Sequence, residues 1–242
     1  MEERINTGVM SVDIVWSVRS VYMYVMSMRR KHRVLGMKKI SADTRIMRIE
    51  RRGLDFSSGQ YICLGPESVI DMREYSVYSS PAEDHLDVLF REIETGYVSK
   101  LLAGMKPGEH VNIDGPFGEF VLPPDCGGTE FLFIATGTGI SPFHSIIASR
   151  PDISYTLLHG CRTVADCYES HIYDSYIPCI TREASAYSRA YRGRVTEYLE
   201  NTDTVIPDHI YACGNSDMIY DVFSFFRRRD YPRENLHAEI YF

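Results

Sequence analysis

A chain of 242 residues is long enough for two modest domains that share an interface. Its 44% hydrophobic and 24% charged content excludes wholesale disorder, and a net charge of −7 argues against nucleic acid as the main partner. The six cysteines (Cys63, Cys126, Cys161, Cys167, Cys179 and Cys213) show no C-x-x-C pair and no iron–sulfur spacing, so they read as reduced thiols of a cytoplasmic protein without a built-in cluster.

Residues 1–32 form an N-terminal extension. The stretch 9–28 is rich in Val, Met and Tyr, but Asp13 and Arg19 interrupt it, whereas a membrane span needs about 20 predominantly apolar residues. The basic run Arg29-Arg30-Lys31-His32-Arg33 follows the apolar stretch instead of preceding it, which is the reverse of a signal peptide. A poorly ordered or weakly helical segment is the expectation, with Met28 as an alternative start and no stable membrane insertion.

Residues 33–125 alternate short β-type runs with turn residues. Strands are predicted at 34–40, 45–51, 60–64, 75–79, 85–91, 110–113 and 119–122, with one helix near 98–102. Breakers such as Gly53, Gly65-Pro66, Lys106-Pro107-Gly108 and Gly115-Pro116-Phe117-Gly118 separate them. Strands at this spacing predict a small antiparallel β-barrel. Within it, Arg73-Glu74-Tyr75-Ser76 places a cation and a flat aromatic on one face of an extended backbone, with a hydroxyl at its end. Such a set suits a ligand with an anionic end and a planar, hydrogen-bonding ring, as in a flavin nucleotide.

After the linker 123–128 the pattern changes. The run 130–135 is continuously apolar, like a parallel strand buried on both faces, and Thr136-Gly137-Thr138-Gly139-Ile140-Ser141-Pro142 follows it. Ser141 reads as an N-cap and Pro142 as a first helical residue, with a helix over 143–148. Further strands are predicted at 155–160, 176–181 and 209–213, and helices at 165–173, 194–200 and 216–228. Residues 129–242 are therefore expected to form an α/β doubly wound parallel sheet. A glycine turn between a buried strand and a helix suits a pyrophosphate. No acid stands at the end of the next strand to take a ribose 2′-hydroxyl. Arg162, Thr181-Arg182 and Arg194 stand there instead, and arginines suit a 2′-phosphate, so the pattern leans to NADP over NAD.

Taken in order, these motifs resemble the ferredoxin/flavodoxin–NADP reductase family, in particular its compact bacterial members, over roughly residues 33–242. The resemblance implies a two-domain fold: an antiparallel β-barrel that binds FAD, then a doubly wound NADP-binding domain that includes a flavin-contacting C-terminus. It implies that Arg73 contacts the flavin phosphates, Tyr75 stacks on the isoalloxazine and Ser76 hydrogen-bonds near N5. Gly96-Tyr97-Val98-Ser99 resembles the second FAD segment, and Gly137-Thr138-Gly139 with Thr136 the NADP pyrophosphate loop. His159-Gly160-Cys161-Arg162, Thr181-Arg182-Glu183 and Gly193-Arg194-Val195 fall where the adenosine phosphate is held. Cys213-Gly214-Asn215 with Met218 resembles the segment beside the nicotinamide. Glu239-Ile240-Tyr241-Phe242 resembles the end at which an aromatic, Tyr241 or Phe242, covers the second flavin face.

The implied activity is hydride transfer from NADPH to FAD, followed by single-electron transfer to a separate ferredoxin or flavodoxin. Ser76, Cys213, Glu239 and Tyr241 are the catalytic candidates, and no metal is expected. The clusters 29–33 and 227–229 could dock such a carrier or be ordinary solvated charge. Two other roles remain compatible with the same residues: an NADH-dependent flavin reductase or electron-transfer component of an oxygenase, and a non-catalytic flavin-binding regulator.

Overall fold

The first half of the chain folds as its short β-type runs and intervening turn residues direct, into antiparallel strands whose inward residues build one core. In the computed structural model, which describes residues 30–183, 190–203 and 206–241, these are β1 (Arg30–Lys39), β2 (Thr44–Glu50), β3 (Tyr61–Pro66), β4 (Arg73–Ser76), β5 (His85–Arg91) and β6 (His110–Phe117). They pair in the order β4-β3-β6-β1-β2-β5, all antiparallel. Beyond β4 the chain reaches β5, where the Tyr78 amide donates to the Asp87 carbonyl at 2.8 Å, and this contact curls the sheet toward closure. Helix α1 (Tyr97–Gly104) plugs one end through Val98 and Leu102, which join Met47, Ile62, Val88 and Phe90 in the core.

Several details differ from the sequence expectation. Strand β1 starts at Arg30, inside the stretch read as extension, and His32 is buried with its Nδ1 2.7 Å from the Glu50 carbonyl oxygen. Its charged neighbours point outward and masked the strand pattern. The turn around Gly115 is absorbed into β6, and the segment 119–122 is a connection rather than a strand.

The second half holds β7 (Glu130–Thr136), a 3₁₀ turn (Gly137–Ile140), α2 (Ser141–Ser149), β8 (Ser154–Cys161), β9 (Tyr176–Ile180), β10 (Tyr191–Arg192), α3 (Val195–Asn201), β11 (His209–Asn215), α4 (Ser216–Arg227) and β12 (Leu236–Tyr241). All six strands run parallel, in the order β10-β9-β8-β7-β11-β12. Successive residues of β7 face opposite sides. Phe131, Phe133 and Ala135 pack with Phe143 and Ile146 of α2, while Leu132 and Ile134 pack with Leu199, Met218 and Val222 of α3 and α4. Each large side chain so buried contributes on the order of 2 kcal/mol of transfer free energy.

Three expectations for this half are corrected. Ser141 is the first residue of α2 rather than its cap, because the 3₁₀ turn precedes it, and its hydroxyl donates to the Thr138 carbonyl at 2.7 Å. The helix predicted at 165–173 is two 3₁₀ turns, divided at Glu169, whose φ of 44° is left-handed and ends helical propagation. The C-terminal residues form β12, a strand that the sequence reading did not foresee.

The domains meet through a mixed core in which Ile46, Tyr78 and Leu89 of the first pack with Phe143, Tyr168 and Tyr173 of the second. The His144 ring stacks on Tyr78 at 3.6 Å and 15°, and the Ser145 hydroxyl donates to the Ser79 carbonyl at 2.7 Å. Among the described residues no helix is long and apolar enough to cross a membrane.

His159, on β8, is fully buried between the Tyr176 hydroxyl (2.8 Å) and the Gly137 carbonyl oxygen (2.9 Å). Burial lowers its pKa from 6.5 to about 4, so the folded ring refuses a proton that the unfolded chain accepts. The stability it contributes is complete above pH 6.5 and falls as pH drops toward 4, by up to about 1.4 kcal/mol per pH unit. Urea midpoints of the protein and of His159→Gln between pH 7 and 5 check this: the variant should show a flatter slope by about one proton. Parallel slopes would assign the acid sensitivity elsewhere.

Candidate cofactor-binding site

A cavity of about 1350 Å³ opens where the end of β4, the segment 89–100, the Gly137–Ile140 turn and β12 converge. Its walls draw on both domains: Arg73, Tyr75 and Ser76 from one, Thr138, Glu239 and Tyr241 from the other. The volume exceeds the 300–1,000 Å³ usual for a small-molecule pocket. It suits an elongated ligand.

Ser76 and β12 close the cavity's inner wall. The Ser76 hydroxyl donates to Glu239 Oε1 at 2.5 Å and accepts from the Tyr241 hydroxyl at 2.6 Å. Pairing of β12 with β11 places Glu239 opposite Cys213 and Tyr241 opposite Asn215. Burial, with Glu239 close by, holds the Cys213 thiol well above its ordinary pKa, so it stays protonated in its fully buried position. Burial likewise pushes the Tyr241 phenol far up. The Glu239 carboxyl is raised by burial and by Glu74, against the opposing hydrogen bond from Ser76. The wall therefore carries neutral proton donors around one carboxyl that titrates above its usual range.

The remaining sequence-selected residues distribute around this wall. Tyr75 is half-buried against Phe90, edge-on at 6.1 Å, and burial raises its hydroxyl to about 12. Arg73 is exposed on the rim, its Nη1 donating to the Met72 carbonyl at 2.7 Å. Gly96 stands immediately before α1, where a Cβ would come within 2.6 Å of Ser99 Oγ. Ser99 is buried and accepts from the Ile93 amide at 3.1 Å, which shapes the loop ahead of the helix. Tyr97 is exposed over the cavity, but the Val98 side chain belongs to the barrel core, so only its backbone is available to a ligand.

Beside the cavity lies the point where strand order reverses, between β7 and β11. Crevices of this kind outside the carboxyl ends of parallel strands are where such sheets bind ligands. Thr136 ends β7, and its Oγ1 accepts from the Asn215 amide at 2.9 Å. Gly139 and Gly214 allow the two chain segments to touch. A Cβ at Gly139 would lie 2.4 Å from the Cys213 carbonyl oxygen, and one at Gly214 would lie 2.3 Å from Thr136 Oγ1.

Arg162, Arg182 and Arg194 follow β8, β9 and β10, three neighbouring strands, and so share one rim of the sheet. Thr181 supports that rim, its hydroxyl donating to the Cys161 carbonyl at 3.3 Å. Arg182 and Arg194 are exposed, whereas Arg162 reaches Asp43 of the first domain at 3.7 Å. The side chains of His159 and Cys161 of the same motif are buried in the core. Phe242 lies outside the described residues. Sequence reasoning missed Asp43, Tyr61 and Arg91, all of which line the cavity. They sit outside the recognisable motifs, on elements that only folding brings together. Within the basic clusters, Lys31 pairs with Glu67 at 2.5 Å, and Arg229 lies over the Phe225 ring at 3.6 Å.

Comparison with known proteins fits this architecture. Residues 31–122 match the oxidoreductase FAD-binding domain, and residues 133–223 match the oxidoreductase NAD-binding domain. The chain is 29% identical over 228 residues to the aromatic O-demethylase reductase subunit of Amycolatopsis sp. (strain ATCC 39116 / 75iv2), covering 85% of this chain and 67% of that one. It is 30% identical over 205 residues to the flavodoxin/ferredoxin–NADP reductase of Shigella flexneri, covering 69% of this chain and 77% of that one. Against the first curated relatives it matches, the chain spans only 59% to 67% of their length. A ferredoxin NADP+ reductase from Neisseria gonorrhoeae, solved with bound FAD and NADP, superposes with a TM-score of 0.79 at 24% identity, over 88% of this chain and 98% of that one. The two domain matches in sequence order, together with this level of identity, establish that the chain belongs to the ferredoxin/flavodoxin–NADP reductase family of two-domain, FAD- and NAD(P)-binding oxidoreductases.

Proposed function

We propose that the protein is an NADPH-dependent flavoenzyme that passes electrons to a separate ferredoxin or flavodoxin. The observation carrying this reading is the Ser76–Glu239–Tyr241 wall, which joins a flavin-sized cavity to the switch-point crevice. The lining fits FAD in its chemistry: aromatic faces for a planar ring, Arg73 for phosphate charge, and backbone amides at the start of α1 for the pyrophosphate. Bound there, FAD would supply two-electron uptake from a reduced nicotinamide and one-electron release to a carrier.

The chain's own residues position and gate. Tyr75 would hold one face of the flavin ring. Tyr241, whose hydroxyl donates to Ser76, would cover the other and swing aside for the nicotinamide. Ser76 would present a hydroxyl to the ring edge, with Glu239 fixing its direction and holding a proton nearby. Cys213, neutral and buried, would shape the pocket floor. Gly137, Thr138, Gly139 and Gly214 would let the nicotinamide pyrophosphate approach the backbone, while Arg182 and Arg194 would face the 2′-phosphate.

Anaerobic addition of NADPH to the purified protein tests both halves together: the visible flavin band should be present and should bleach. Arg182→Ala should raise KM for NADPH about tenfold or more while changing that for NADH little, since a charge-assisted hydrogen bond of roughly 1.5–3 kcal/mol would be lost. An equal effect on the two coenzymes would remove the 2′-phosphate assignment. Similarity to the Amycolatopsis reductase subunit supports a second reading, in which an oxygenase component accepts the electrons. Reduction rates with purified ferredoxin, flavodoxin and such a component as acceptors separate the two.

A further inference from the structure

Asp43, in the turn between β1 and β2, belongs to the first domain and lines the flavin-sized cavity, yet it also reaches the nucleotide rim of the second. Its Oδ2 accepts from Arg91 Nε at 2.5 Å and lies 3.7 Å from Arg162 Nη2. Its Oδ1 accepts from the Ser41 and Thr44 hydroxyls at 3.3 Å each, and its backbone carbonyl accepts from the Glu92 amide at 2.7 Å. One residue on, the Thr44 hydroxyl meets the Tyr168 hydroxyl across the domain interface at 3.2 Å. The carboxylate is thus anchored on its own domain, with Arg91 as its close partner and Arg162 as a looser second one. Burial pushes the Asp43 carboxyl up, but Arg91, Thr44 and Arg162 together outweigh it and leave the group below its ordinary pKa. It stays charged throughout the neutral range.

We propose that Asp43 is a specificity-determining residue that competes with the coenzyme 2′-phosphate for Arg162 and so lowers the affinity for NADPH. This rests on the NADPH reading above, with Arg162 joining Arg182 and Arg194 on the rim that would take the 2′-phosphate. The Asp43–Arg162 contact is long, and the two side chains are 33% and 36% exposed, so it is weak and exchangeable. A phosphate carries more charge and accepts two parallel guanidinium bonds, so it takes Arg162 over. Whatever the ion pair contributed before binding is then subtracted from the binding free energy. The same carboxylate partly neutralises the positive field that the rim presents to an approaching phosphate. A carboxylate from the flavin domain thereby adjusts a site on the nucleotide domain.

The test uses the flavin-loaded protein with 2′-AMP and 5′-AMP as probes, measured by calorimetry, alongside steady-state KM values for NADPH and NADH. Asp43→Asn keeps the side-chain shape and its capacity to accept from Ser41 and Thr44. It should bind 2′-AMP about twofold to fivefold more tightly, the scale of one exposed ion pair, and lower KM for NADPH correspondingly. Binding of 5′-AMP and KM for NADH should be unchanged. Adding Arg162→Ala to Asp43→Asn should abolish the gain. Unchanged or weaker binding of 2′-AMP by Asp43→Asn, or an equal gain for 5′-AMP, would overturn the proposal. Arg162→Ala alone separates the two levels of the argument. If it leaves 2′-AMP binding untouched, the assignment of Arg162 itself is wrong. If it weakens 2′-AMP binding while Asp43→Asn changes nothing, only the competition by Asp43 fails.

Discussion

Tyr75→Ala should leave gel filtration largely colourless, with less than a tenth of the flavin per chain that the parent protein retains. The ring of Tyr75 lines the cavity and is the residue of β4 best placed to cover a planar ligand. Removing an aromatic face forfeits the buried apolar area and the stacking preference together, roughly 2–3 kcal/mol, or about a hundredfold in dissociation constant. Tyr75→Phe is the matched comparison. It keeps the ring and its edge-on packing against Phe90 and gives up only a hydroxyl for which burial already disfavours ionisation. The phenylalanine variant should stay yellow. If the alanine variant holds its full complement of flavin, Tyr75 does not carry the ring.

The second large effect is expected at Gly139. The three nearest atoms to a Cβ placed there are all backbone: the Cys213 carbonyl oxygen at 2.4 Å, its carbon at 2.7 Å and the Gly214 Cα at 2.8 Å. No side chain can rotate away, so in Gly139→Ala the turn after β7 must part from the end of β11. Overpacking of this kind costs about 1–3 kcal/mol of stability, and a shift of the crevice walls costs about a hundredfold in kcat/KM for NADPH. Flavin content should survive, since the first domain supplies most of the cavity. Gly137, where a Cβ meets nothing within 4 Å, provides the contrast, although its φ of 53° favours glycine. Its alanine variant should lose far less catalytic efficiency. Thermal melts, flavin absorbance and NADPH oxidation with ferricyanide measure all three quantities on one preparation, and near-parental turnover by Gly139→Ala would contradict the crevice assignment.

Much of the architecture was legible because it is written in local periodicity. Short β-type runs such as β2 and β5, bounded by turn residues, announced an antiparallel barrel, and the unbroken apolar run of β7 announced a strand covered on both faces. Motif order placed Arg73, Tyr75 and Ser76 together, and Gly137 to Gly139 beside a helix start. Local pattern failed where a long-range partner decides the conformation. Arg30 to His32 look like a charged tail, yet pairing with β6 makes them a strand. Leu236 to Tyr241 alternate weakly and reach the chain's end, yet β11 offers them a free edge.

By itself, then, the amino-acid order determined two domains, their strand and helix grammar, and the residue types gathered for a flavin and a nicotinamide dinucleotide. Only the tertiary structure decided that Ser76 hydrogen-bonds to Glu239 and Tyr241, 163 and 165 positions away, and that Asp43 lies between Arg91 and Arg162. The reason is physical: side-chain period reports which face a residue shows its nearest neighbours. Contacts across a domain interface depend on how two finished surfaces pack, and no short stretch of chain encodes that.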